Sequence, residues 1–276
     1  MQSDGHMSCL RAYSTLGNPH ASLEECLALA QASDLDAVEV RALNGTTDVP
    51  AVLARTYGSP EALSEKLGVH SGLRKGVRVV AFGTSLRLIG STAEERAAFL
   101  DFLPWAEALD VRWLRVFDGG KRADEAELAE AAATVRWWQA ERAWRRAAPE
   151  IMIETHDALV NAAAIRRFVE VAPGTPILWD SHHTWKKGGE DPVETWAQIS
   201  ESVVHVHVKD SVSIPSARHP YSYTLPGRGE FPMRPLISEL DRHFRGVVSL
   251  EWERMWNPEL APLEEALQSA RDTRWW

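Results

Sequence analysis

Four short runs carry an acid or a histidine where an apolar alternation ends. In Ile151-Met152-Ile153-Glu154-Thr155-His156 the isoleucines share one parity, and Glu154 and His156 the other. In Ile177-Leu178-Trp179-Asp180, Asp180 opposes Ile177 and Trp179. In Val203-Val204-His205-Val206-His207-Val208-Lys209-Asp210, three valines alternate with His205, His207 and Lys209. In Val247-Val248-Ser249-Leu250-Glu251-Trp252, Glu251 opposes Val248, Leu250 and Trp252. Side chains alternate across a strand, so each run aims a polar group away from its apolar face. Glu154, Asp180, His207 and Glu251 make a metal-ligand set if a fold joins the four ends. Three carboxylates and one imidazole favour a hard divalent cation, Mn²⁺, Mg²⁺ or Co²⁺; Zn²⁺ is also compatible. An octahedral ion with four protein ligands keeps two positions for the adjacent oxygens of an α-hydroxycarbonyl. The chemistry this suggests is proton transfer next to a carbonyl, with the metal stabilising the enediolate oxygens.

The rest of the chain must bring those ends together. Apolar strands alternate with amphipathic helices from Leu10 onward. Strands are expected at Leu10 to Ser14, Leu35 to Arg41, Val77 to Phe82 and Trp113 to Phe117, followed by the four runs above. Ser22 with Glu25, and Thr92 with Glu95, have the spacing of capping boxes. Further helices are expected over Val49 to Tyr57, Pro60 to Leu67, Asp124 to Ala147, Asn161 to Val171, from Asp191-Pro192, over Pro235 to His243 and over Pro262 to Arg271. In the long helix, Trp137, Trp138 and Trp144 read as packing groups. Ser211 to Pro232 reads as a long loop. Eight alternating units, about 35 residues each, predict a single (β/α)₈ TIM barrel over residues 8–276. No glycine-rich phosphate fingerprint follows the first strand, which counts against an open doubly wound sheet. Active sites of such barrels lie at the C-terminal ends of the strands, where Glu154, Asp180, His207 and Glu251 fall.

Composition bounds the reading. The chain has 276 residues, 45% hydrophobic and 25% charged, an ordinary globular balance. A net charge of -9 argues against a nucleic-acid partner. Two cysteines, Cys9 and Cys26, are too few for a disulfide framework and fit a reducing cytoplasm. No apolar run approaches the roughly 20 residues needed to span a bilayer. Met1 to Met7 reads as a cloning remnant or a disordered start. Most of the twelve tryptophans are expected to pack between helices and barrel, while an exposed patch with the terminal Trp275-Trp276 pair suggests a subunit contact in a homo-oligomer.

The same motifs, taken in order, resemble the xylose isomerase-like TIM barrel family of sugar phosphate isomerases and epimerases. That superfamily also holds ketose 3-epimerases, hydroxypyruvate isomerases, inosose and dehydroshikimate dehydratases, and endonuclease IV. The carrying motifs are Ile153-Glu154-Thr155-His156, Trp179-Asp180-Ser181-His182-His183, His205-Val206-His207-Val208-Lys209-Asp210, Pro226-Gly227-Arg228-Gly229-Glu230 and Leu250-Glu251. The resemblance implies Glu154, Asp180, His207 and Glu251 as metal ligands. It implies the two glutamates as an acid–base pair on opposite faces of a small sugar or hydroxycarbonyl. His183 and His156 match substrate-facing positions, and Lys209 and Arg115 match groups that hold substrate oxygens or a carboxylate. Trp185 is a candidate for stacking on a sugar face. Arg228 departs from the acid more often expected between the two glycines of its loop, which suggests an unusual, anionic substrate.

Blander roles stand beside these. His205 lies one pleat deeper than His207 and is expected to pack in the lumen, and His182 to point away from the metal. Lys209 with Asp210 also reads as a solvated strand end, Arg115 as a partner of Glu39 or Glu154, and Glu39 as a hydrogen-bonding residue near the barrel floor. The leading function is a metal-dependent isomerase or epimerase, with a dehydratase using the same proton abstraction as the alternative. An endonuclease IV-type nuclease needs additional histidines, absent at Phe82-Gly83-Thr84 and at Arg115. A non-catalytic sugar-binding barrel is the last reading.

Overall fold

The computed structural model describes residues 9–69 and 76–276, and the expected start at Met1 to Met7 lies outside them. Eight parallel strands close into a barrel. They are β1 (Leu10–Ser14), β2 (Ala37–Val40), β3 (Arg78–Ile89), β4 (Trp113–Gly119), β5 (Glu150–Glu154), β6 (Ile177–Asp180) and β7 (Val203–Val208), then, after a two-stranded excursion, β10 (Val247–Leu250). The excursion pairs β8 (Ser211–Val212) with β9 (Ser222–Tyr223), antiparallel, inside the expected loop. β10 lies between β1 and β7, which closes the ring. The register sets Asp180 beside His207 and His207 beside Ser249, so the polar ends arrive level.

Helices cover the outside: α1 (Leu23–Ala32), α2 (Val49–Tyr57), α3 (Pro60–Leu67), α4 (Ala93–Leu100), α5 (Leu103–Ala108), α6 (Glu125–Arg145), α7 (Ala162–Val171), α8 (Ser181–Lys186), α9 (Pro192–Ile199), α10 (Met233–His243) and α11 (Leu263–Asp272). Both capping boxes form, Ser22 with Glu25 and Thr92 with Glu95. Among the described residues no helix is long and apolar enough to cross a membrane.

The apolar parity of each strand packs outward under the helices. Val206, Val208, Trp179 and Ile153 are fully buried in that layer. Each such side chain contributes about 1.5–3 kcal/mol of burial. Inside, small clusters fill the lumen below the polar ends: Ala12, Ala37, Val80 and Val247, then Ala81, Met152 and Leu178. Apolar side chains therefore fill the lumen below, and polar groups concentrate above them.

Several elements differ from the sequence expectation. β3 runs on to Ile89 rather than ending at Phe82, with a register shift against β4 between Gly83 and Arg87. α5 and α8 are short helices whose few residues show no period. Trp144 is 76% exposed rather than packed. The buried stripe of α6 runs through Leu128, Ala131, Val135 and Trp138, and Trp144 falls off that 3.6-residue repeat. Trp275 is buried against Phe231, so it is not a free surface anchor.

Candidate active site

β5, β6, β7 and the residue after β10 deliver Glu154, Asp180, His207 and Glu251 to one point. One ligand atom from each lies within 4.8 Å of all the others, and all four residues are buried. An ion with bonds of about 2.1 Å holds ligand atoms roughly 3–4.2 Å apart, so the spacing suits a divalent cation. His207 Nδ1 stands 3.5 Å from Glu154 Oε1 and 3.4 Å from Glu251 Oε1, with no hydrogen-bond partner. Its other nitrogen, Nε2, lies 2.7 Å from Glu39 Oε2. A carboxylate only accepts, so Nε2 carries a proton, and Nδ1 is the atom turned toward the carboxylates. A carboxylate behind the far nitrogen is the usual support of a metal-bound imidazole.

Charge makes the same point. Five carboxylates converge here, Glu39, Glu154, Asp180, Glu251 and Glu253, against three cations, Arg41, Arg115 and Lys209. Counting His207 as neutral, as an ion on Nδ1 would leave it, two negative charges remain, the amount one divalent ion cancels. Lys209 Nζ lies 2.8 Å from Asp180 Oδ2 and 2.8 Å from Glu253 Oε1, and also contacts Glu251 Oε2. It is fully buried, which overturns the reading of Lys209 as a solvated strand end. Arg115 Nε lies 3.1 Å from Glu154 Oε2, and its NH1 donates to Thr84 O.

These contacts set the titration of the groups. Burial pushes the Asp180 carboxyl up despite Lys209. Burial also works against ionised Glu251, but Lys209 and His207 outweigh it and hold the acid well below its ordinary value. Glu154 is lowered against burial by Arg115. His207 is raised well above its ordinary value, because Glu39 and Glu251 outweigh burial.

The other expected residues fall in different places. His183 sits against the centre, its Nδ1 3.2 Å from Asp180 Oδ2 and its backbone N–H donating to Asp180 Oδ1 as the cap of α8. His156 lines a cavity of about 220 Å³ above the cluster, its ring edge-on to Phe117 and His183. Arg115 lines it too. Trp185 does not line that cavity; it packs on His182 and Phe231. Arg228 is exposed, on a turn whose glycine N–H groups point inward to Asp210. His205 bonds Ser249 and Glu39 in the lumen, and His182 bonds Ser211 away from the cluster.

Sequence reasoning missed Arg41, Glu253 and Trp256 on the cavity wall. Arg41 and Glu253 had a signal, the shared parity of Glu39 with Arg41 and of Glu251 with Glu253. Trp256, in an irregular segment, had none. Asp118 was also missed: at the end of β4 its carboxylate accepts from the N–H groups of Gly119, Asp157, Ala158 and Leu159. It thereby fixes the loop that carries His156, while burial pushes its acid up to about 6 against those bonds.

A family model described as xylose isomerase-like TIM barrel matches residues 27–273. No curated protein matches the chain. Among solved structures, the probable 3-DHS dehydratase AsbF from Bacillus anthracis superimposes with a TM-score of 0.75 at 16% identity, covering 95% of this chain and 98% of that one. The IOLI protein with a binding zinc atom gives 0.70 at 16% identity, covering 96% of each chain. Endonuclease IV from Thermus thermophilus gives 0.62 at 18% identity, covering 96% of this chain and 97% of that one. At such identities the likeness is one of fold.

Proposed function

Because the chain belongs to the xylose isomerase-like TIM barrel family, we propose that it is a divalent-metal-dependent isomerase or epimerase of a small sugar or hydroxycarbonyl compound. The observation that carries this reading is His207 Nδ1, set 3.5 Å from Glu154 Oε1 and 3.4 Å from Glu251 Oε1 with Asp180 completing the group, while a carboxylate holds the far nitrogen. Glu154, Asp180, His207 and Glu251 would hold the ion; its metal is Mn²⁺, Mg²⁺ or Co²⁺ by the oxygen-rich donor set, with Zn²⁺ compatible. When bound, the ion supplies positive charge where negative charge develops on the substrate oxygens.

The residues of the chain do the rest. Glu154 and Glu251 flank the centre, so one carboxylate takes the proton from the carbon next to the carbonyl and the other returns it. Arg115 keeps Glu154 ionised and therefore able to accept a proton. Glu39 holds a proton on Nε2 of His207, which leaves Nδ1 as the nitrogen that would hold the ion. Lys209 holds Asp180, Glu251 and Glu253, and Glu253 would remain its partner if an ion took the other two. Phe117 and Trp256 give the cavity its apolar wall.

One observation favours a second reading. The ring of His156 lines the cavity, and its bond to Asp157 outweighs burial and raises it above the ordinary value, so it is a proton donor fit to help a β-hydroxyl leave, and a dehydratase would use it so. Product analysis separates the two, since loss of water excludes simple isomerisation.

The test is elemental analysis of protein purified without chelator, joined to turnover of a ketose and hydroxy-ketoacid panel. About one Mn, Co or Mg per chain is expected, lost in His207→Ala with the fold retained. Glu154→Gln should lower turnover roughly 10²–10⁴-fold, the usual worth of a positioned proton-transfer group. Unchanged metal content in His207→Ala, or full turnover in Glu154→Gln, overturns the assignment.

A further inference from the structure

Three cations are buried among the described residues: Arg41, Arg115 and Lys209. Two of them have carboxylate partners. Arg115 has Glu154, and Lys209 has Asp180, Glu251 and Glu253. Among the described residues, Arg41 has no carboxylate within ion-pair distance. The residue is 6% exposed, and its guanidinium donates to neutral acceptors, Gly83 O at 3.4 Å and Ser85 Oγ at 3.0 Å. The carboxylates nearby act on it only at a distance, and a guanidinium presents five N–H groups in a flat fork that two neutral acceptors do not fill.

Two further facts give that fork a purpose. Arg41 lines the same cavity as Glu154 and Glu251. The wall has also been cut back to admit it. A Cβ added at Gly83 would stand 2.7 Å from Arg41 Cδ and 2.9 Å from Arg115 NH2, so any side chain there would push both arginines aside.

Resting on the reading of Glu154 and Glu251 as the reacting end of the cavity, we infer that the substrate is a small hydroxycarbonyl acid whose carboxylate is received by Arg41. Planar carboxylate matches the guanidinium fork with two parallel hydrogen bonds. A phosphate is the poorer match. It brings close to two negative charges, and the cavity offers one unpaired cation facing Glu154, Glu251 and Glu253. The volume, about 220 Å³, suits a molecule of a few carbons.

The test compares small polyhydroxy ligands that carry a carboxylate, no charge or a phosphate. Calorimetry measures threonate, threitol and glycerol 3-phosphate on wild type, Arg41→Met and Arg41→Lys, each loaded with Mn²⁺ and each stripped and dialysed. Thermal melts check that the variants are folded. Threonate should bind wild type at least about tenfold tighter than threitol, the worth of one charged hydrogen-bond pair. Arg41→Met should erase that preference in both metal states, and Arg41→Lys, which keeps the charge without the fork, should keep part of it. Comparing the stripped forms excludes a preference that comes from the metal binding the acid directly.

Equal affinity for threonate and threitol in wild type overturns the inference. So does a preference that survives Arg41→Met, or tighter binding of glycerol 3-phosphate than threonate. Should Arg41→Met fail to fold, the wild-type ratio and Arg41→Lys still decide. A protein that takes up no divalent ion yet shows the Arg41-dependent preference refutes the proposed function and leaves this inference standing. Metal uptake without the preference does the reverse.

Discussion

Replacing Glu39 by glutamine keeps the shape of the side chain and removes one charge from behind His207. Glu39 is fully buried and touches nothing of the cavity. Its Oε2 accepts a hydrogen bond from His207 Nε2 at 2.7 Å and stands 3.2 Å from His205 Nε2. A hydrogen bond to a charged group contributes about 1.5–3 kcal/mol, and a neutral one about 0.5–1.5 kcal/mol. The amide oxygen of the glutamine still accepts from Nε2, so the loss is the difference, roughly 1–1.5 kcal/mol. If His207 Nδ1 binds the ion, that loss weakens the ion by about five- to tenfold, since about 1.4 kcal/mol is a factor of ten. The assay is Mn²⁺ competition against a chelating dye in wild type and Glu39→Gln. Thermal melts of the stripped proteins separate ion affinity from folding. An unchanged Mn²⁺ affinity in a folded Glu39→Gln would refute the reasoning, because Nδ1 would then owe nothing to the carboxylate behind it.

Three other substitutions probe the surroundings. Lys209→Met leaves Asp180 and Glu251 with no ammonium, which raises both acids in the folded state; a raised acid favours the protonated form, so the variant gains stability on acidification. Wild type behaves oppositely at Glu251, whose stabilisation is complete above the ordinary value of 4.5 and fades below it. The stripped variant should therefore fall short by about 3–5 kcal/mol near neutrality, with the deficit narrowing toward about pH 4 in urea titrations; a deficit independent of pH would contradict this. Gly229→Ala puts a Cβ 2.2 Å from Asp210 Oδ1 and 2.6 Å from Ser211 O. Limited proteolysis should then cut within residues 211–232, and an uncut loop would count against the role given to that turn. Asp118→Asn turns an amide N–H toward backbone donors in place of an acceptor oxygen, and should cost about 2–4 kcal/mol in denaturant unfolding; a neutral result would mean the loop after β5 is held otherwise.

Strand periodicity made much of the barrel legible. Alternation in Val203–Val208 assigns the valines to the helix side and the histidines to the lumen, because a strand offers only two faces. Ser22 with Glu25 and Thr92 with Glu95 announce two helix starts, because a capping box is a local bond between residues three apart. Order along the chain set Glu154, Asp180, His207 and Glu251 at strand ends, and barrel closure brought their ligand atoms together. The helix α8 stayed hidden because its start depends on Asp180 capping His183, an acid that also reads as a site residue.

What the sequence determined by itself was which residues face inward and at which end. Only the tertiary structure decided who meets whom. Glu39 reaches His207 across 168 positions of sequence, because β2 and β7 face each other through the lumen rather than pairing. Lys209 is buried on Asp180, Glu251 and Glu253 instead of ending a strand in water, because three strand ends and the segment after β10 close around it. Arg41 faces the cavity without a carboxylate because Gly83, on the next strand, leaves it room. Periodicity fixes a face; closure and register choose the neighbour, and the neighbour sets the charge and the chemistry.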